Sequence, residues 1–67
     1  MTIKQLHEIT PADHKIYIGW NGITRELERS SWLELSAYGA YSIAGIYALG
    51  ENKIEADLAA QPVKEEN

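Results

Sequence analysis

Ser31 to Gly50 reads SWLELSAYGAYSIAGIYALG, and the way this stretch folds decides the architecture of the chain. It opens on Ser31-Trp32-Leu33-Glu34, the pattern of a capping box, in which a hydroxyl and an acid three residues later satisfy free N–H groups at a helix start. Gly50 offers the matching C-terminal stop, so one reading is a single helix over 32–49. Two features oppose it. Apolar residues fall all round such a helix, and Gly39 and Gly45 each cost about 1 kcal/mol inside it. Tyr38, Tyr41, Ile43, Ile46 and Tyr47 are also better strand formers than helix formers. The pattern therefore favours two strands, near 32–38 and 40–49, with an α+β fold carrying a helix at 32–49 as the alternative.

Downstream, Gly50-Glu51-Asn52 is a turn signal. Ile54, Ala56 and Leu58 then alternate with Lys53, Glu55 and Asp57, which predicts a half-buried strand near 53–60. Upstream, Asn21-Gly22 inside IGWNGIT predicts a two-residue type I′ turn, because both central positions need positive φ. That turn pairs Trp20 with Ile23, Ile18 with Arg25 and Ile16 with Leu27. The six share one face of a hairpin over 15–28, an apolar face expected to be buried apart from Arg25. Tyr17, Gly19, Thr24, Glu26 and Glu28 form its other, mostly polar face.

At the N-terminus, Ile3, Leu6 and Ile9 at spacing three suit a short helix or an irregular strand. Thr10-Pro11-Ala12-Asp13 has a cap, a proline at the first helical position and an acid, enough for a single turn. The expected fold is mainly β: a small single-domain antiparallel sheet, built from the hairpin 15–28 and a meander over about 32–60, with a short N-terminal helical turn. The domain is expected to span 1–61, leaving 62–67 as a flexible acidic tail.

A chain of 67 residues holds one domain, and its 45% hydrophobic content is that of a globular protein. Below roughly 70–80 residues a single core contributes only about 3–5 kcal/mol and needs reinforcement. With no cysteine, neither disulfides nor thiolate zinc sites supply it. Burial against another copy remains, so a homodimer or higher homo-oligomer is expected. The net charge of −4, with no run of Lys or Arg, argues against direct nucleic-acid binding and against docking on an anionic membrane. Residues 35–50 carry no charge but are too few for the roughly 20 needed to span a bilayer. MTIKQLHEIT lacks the basic and apolar regions of a secretory signal, which makes the cytoplasm the expected location.

Residues with reactive chemistry are sparse. His7 and His14 lie seven apart, without the spacing of a zinc helix, and read as solvated side chains; no metal or cofactor is expected. None of Ser30, Ser31, Ser36 and Ser42 sits in a Gly-x-Ser-x-Gly elbow. Glu26 with Glu28, and Glu55 with Asp57, each share a strand face expected to meet water. The five glycines are too dispersed for a phosphate loop. The chain therefore reads as non-enzymatic.

The aromatic residues say more. Two Trp and four Tyr with no Phe mean that every aromatic has a polar handle, as suits an apolar but partly wet interface. Trp20, Asn21, Arg25, Trp32, Tyr38 and Tyr41 are the candidate binding residues. Arg25, on an apolar face, either extends past the sheet edge or meets a carboxylate or phosphate from a partner. The expected function is an oligomeric protein–protein interaction module that inhibits or modulates a larger enzyme or complex, a task met among the small accessory and anti-defence proteins of bacterial viruses. A second reading is a nucleotide-binding or nucleotide-sequestering protein, with Trp20, Trp32, Arg25 and tyrosine hydroxyls at a subunit boundary. A third is a structural assembly subunit.

Overall fold

The computed structural model describes residues 1–59, which form one four-stranded sheet with two short helices against one face. The fold is a small, mainly β domain with added helix, as the sequence predicts. β1 (Lys15–Trp20) and β2 (Ile23–Glu26) make the expected hairpin, with Trp20 opposite Ile23 and Ile18 opposite Arg25. Asn21 (φ 54°) and Gly22 (φ 81°) both occupy the left-handed region that a type I′ turn demands. The Leu27 N–H donates to the Ile16 carbonyl at 2.8 Å, which extends the pairing by one step in the anticipated register.

The decisive stretch divides in two. α1 spans Ile3–Ile9, and α2 spans Trp32–Tyr38, where a strand was the favoured expectation. The helical alternative is right for that segment but overruns it, because 43–50 is strand β3 (Ile43–Gly50). The Ser31 hydroxyl accepts from the Glu34 N–H at 3.3 Å and starts the helix, a cap worth about 1 kcal/mol. Leu35 and Tyr38, three apart, turn inward against the core. The helix stops at Gly39, whose carbonyl accepts from Lys4 N–H at 2.9 Å and ties the end of α2 to the start of α1. Beyond it the β-branched and aromatic residues of β3 follow their own preference. α1 is capped by Thr2 and Gln5, each side chain bonded to the other's backbone N–H.

β4 (Lys53–Leu58) returns through a tight turn, with Asn52 at φ 64°, and pairs antiparallel to β3. It does not stay at the edge of a meander. It enters the middle of the sheet, giving the order β2-β1-β4-β3, and runs parallel to β1 with Ile16 opposite Ile54 and Ile18 opposite Ala56. The sheet is thus mainly antiparallel, as expected, with one parallel pair that the expected meander lacks. A parallel pair needs a long crossover between its strands, and α2 with β3 provides it.

Ile3, Leu6, Ile16, Ile18, Leu27, Ala56 and Leu58 are the buried core. Of the six hairpin residues expected to share an apolar face, Ile16, Ile18 and Leu27 are buried while Trp20, Ile23 and Arg25 are exposed. The helices cover the base of the hairpin and leave its tip in water.

Arg29 closes the structure on the side away from the turn. Its Nε donates to His7 Nδ1 at 3.0 Å. Nη1 donates to the carbonyls of Pro11 (2.7 Å) and His14 (2.6 Å), and Nη2 to those of His7 (3.0 Å) and Thr10 (2.7 Å). All five guanidinium N–H donors are engaged, joining the end of α1, the 10–14 turn and the segment after β2. His7 and His14 are both partly buried, and His14 Nδ1 lies 2.9 Å from Asp13, so neither is the solvated histidine expected from the sequence.

Candidate functional site

The candidate residues fall in three places. The first is a cleft of about 310 Å³ at the hairpin tip, lined by Trp20, Asn21, Ile23, Glu55 and Asp57 among others. The parallel β1–β4 register sets Gly19 opposite Asp57 and Tyr17 opposite Glu55. Both carboxylates lean over Gly19. A Cβ there would crowd the carboxylate ends of Glu55 and Asp57, which would have to move aside for any other residue. Asp57 Oδ1 is buried and has no hydrogen-bond donor. Glu55 is the neighbour that can supply one when it is protonated: a hydrogen bond with Asp57 first, then desolvation and the neighbouring negative charge, raise the Glu55 pKa above its ordinary 4.5.

A carboxyl that holds its proton more tightly when folded adds stability below the unfolded value, and that stability is lost as pH rises through the folded one. Glu55→Gln keeps the hydrogen bond and removes the charge. It is expected to raise the thermal midpoint at pH 7 and to change nothing well below pH 4.5, which melts across pH will measure. Equal shifts at both pH values would argue against the shared proton.

The second place is a stack linking β2 to α2. The Arg25 guanidinium donates through Nη2 to Glu34 Oε2 at 2.9 Å and through Nη1 to the Tyr38 hydroxyl. It also lies 5.2 Å from the Tyr38 ring centroid, and Tyr38 meets Tyr41 edge-on at 5.7 Å. Glu34 Oε1 accepts from the Glu28 N–H at 2.9 Å. That backbone bond first, and Arg25 second, hold the Glu34 carboxyl below the usual range, while Glu34 in turn raises Arg25. Arg25 therefore extends past the apolar face and finds its carboxylate within its own chain.

The third place is a groove of about 490 Å³ between α1 and α2. Leu35, Gly39 and Ala40 contribute apolar surface, Lys4, His7 and Glu8 polar groups, and Trp32 stands at it with 72% of its surface exposed. The next residue, Leu33, is 65% exposed.

The structure thus brings Arg25, Tyr38 and Tyr41 together, keeps Trp20 and Asn21 at the hairpin tip, and puts Trp32 on the helical face. Glu34 joins this set through Arg25 and the Glu28 N–H, and its spacing from Ser31 signals only a helix start. Among the described residues no three or more His, Asp or Glu side chains converge as a metal site, and no helix is long and apolar enough to cross a membrane. No family model matches this chain, and neither a curated protein nor a solved structure resembles it significantly.

Proposed function

We propose that this chain is a protein-binding module that modulates a larger enzyme or complex by occupying part of its surface, in the cytoplasm and without chemistry of its own. The observation that carries this reading is Trp32. It is 72% exposed on a helix whose start is held by Ser31, beside the α1–α2 groove. A large amphipathic ring held on a rigid element loses little entropy on contact, which is why Trp dominates binding energy at protein interfaces. The groove suits one or two apolar side chains of a partner, flanked by groups that hydrogen-bond to Lys4, Glu8 or Ser36.

The nucleotide reading has less support. Trp20 and Trp32 line different clefts, so a single copy does not set them around one base. Arg25 is paired with Glu34, and the carboxylates of the Trp20 cleft repel phosphate.

Affinity capture from cells that make the protein, followed by titration with the purified partner, tests the proposal. Trp32→Ala is expected to weaken binding by at least about tenfold, whereas Trp20→Ala leaves it unchanged. Full binding by Trp32→Ala removes the groove from consideration. A rise in thermal stability with a nucleotide, and no captured protein, favours the ligand reading instead.

A further inference from the structure

The two edges of the sheet are unlike. β2, at one edge, is four residues long and carries Arg25 and Glu26. β3, at the other, is eight residues long, IAGIYALG, and has no charge and no proline. An edge strand offers a row of unpaired N–H and C=O groups, and proteins that stay monomeric blunt such edges by shortness, charge, proline or bulges. β2 has the first two protections. The irregularities of β3 fall at its ends, between Ile43 and Gly45 and between Ala48 and Gly50, so 45–48 keeps a regular register with β4. Its exposed apolar side chains are large: Ile46 (46%), Tyr47 (54%) and Leu49 (47%).

From this edge we infer that two copies of the chain pair through β3, antiparallel, and join their sheets into one. The inference stands apart from the Trp32 groove, which belongs to the helices. A second copy is the occupant for three reasons. The first is the position of the free stretch. Thr2 bridges Ser42, and Ile43 N–H donates to the Met1 carbonyl at 2.9 Å, so the chain's own N-terminus covers the start of β3. The turn at Glu51 and Asn52 ends it. What remains unpaired among the described residues, 44–50, is centred on Tyr47. A two-fold axis through Tyr47, normal to the sheet, keeps each face on its own side and sets Ile46 opposite Ala48 of the other copy. Apolar residues then meet apolar residues in both directions.

The second reason is charge. Each copy carries −4, yet β3 brings no charge of its own to the contact, and the charged strand β2 lies at the far edge of each sheet. The third is the core, seven buried side chains among the described residues, which is small for a stable monomer without disulfides. Closing the edge adds ladder hydrogen bonds and covers Ile46 and Leu49.

Because the chain has no cysteine, a single introduced one links only to another copy. Strand partners facing each other across the axis have Cα atoms about 4.5–5.5 Å apart, within disulfide reach. Tyr47→Cys is expected to give a covalent dimer on mild oxidation, and Thr24→Cys on β2 is not. Sedimentation of the unmodified protein should show a dimer that dissociates on dilution. Ile46→Lys, checked for folding by circular dichroism, should weaken it by at least about tenfold. Trp32→Ala should leave the dimer intact, which separates this result from the fate of the groove. A monomer at all accessible concentrations overturns the inference, as does a dimer indifferent to Ile46→Lys with no Tyr47→Cys cross-link. A monomer that captures another protein and loses it on Ile46→Lys also overturns it, and assigns the edge to a foreign strand.

Discussion

Arg29→Ala is expected to remove about 2–4 kcal/mol of folding stability, most of what a domain of this size possesses. The guanidinium donates to the carbonyls of His7, Thr10, Pro11 and His14 and to the His7 ring. Those carbonyls close the end of α1 and the turn before β1, and Arg29 is partly buried among them. Truncation leaves several acceptors poorly solvated at once, and a group stranded in this way loses more than the net value of one hydrogen bond. Arg29→Lys is expected to recover less than half. An ammonium carries three donors on one nitrogen and does not reproduce the planar five-donor fork. Urea unfolding followed by circular dichroism gives the value. If Arg29→Ala melts with the unsubstituted protein, the five contacts add nothing to stability.

The second large effect separates two residues that the hairpin pattern treats alike. Leu27 and Ile23 lie on the same face of the ribbon, but Leu27 is 1% exposed and Ile23 is 69% exposed. Leu27→Ala removes buried methyl groups from a close-packed site and is expected to cost about 2–5 kcal/mol. Ile23→Ala, at the uncovered tip, should cost less than about 1 kcal/mol. The same unfolding experiment reads both, and equal losses would mean that the tip is covered in solution.

The hairpin was legible because its determinants are local. Asn21-Gly22 demands positive φ, and the turn then sets the register of every flanking pair. The start of α2 was legible in the same way, in the Ser31 cap, although the β-forming residues further along outweighed it in the choice of strand. Four good helix formers, Leu33, Glu34, Leu35 and Ala37, lie in 32–38, and the strong strand formers lie mostly beyond Gly39. The break between 38 and 40 was thus legible, and only the conformation of the segment before it was not. The limits at 61 and the tail 62–67 lie outside the described residues.

Arg25 shows where local reading ends. Its position on the apolar face was plain, but Glu34 and Tyr38 reach it from a helix that follows β2 in the chain. Arg29 gave no signal at all, because its partners lie 15 to 22 residues away. Likewise, Glu55 and Asp57 were visibly on one strand face, but their crowding over Gly19 needs the parallel pairing of β1 with β4.

By itself the sequence determined what depends on neighbours within a few residues: the type I′ turn, its register, the helix cap at Ser31 and the alternation of β4. Backbone dihedral preference and side-chain periodicity act over that range. The tertiary structure alone decided which strand took the centre of the sheet, which end of the hairpin was covered, and which edge was left open. Those outcomes depend on how elements far apart in the chain divide a small amount of apolar surface between them, and no short stretch contains that information.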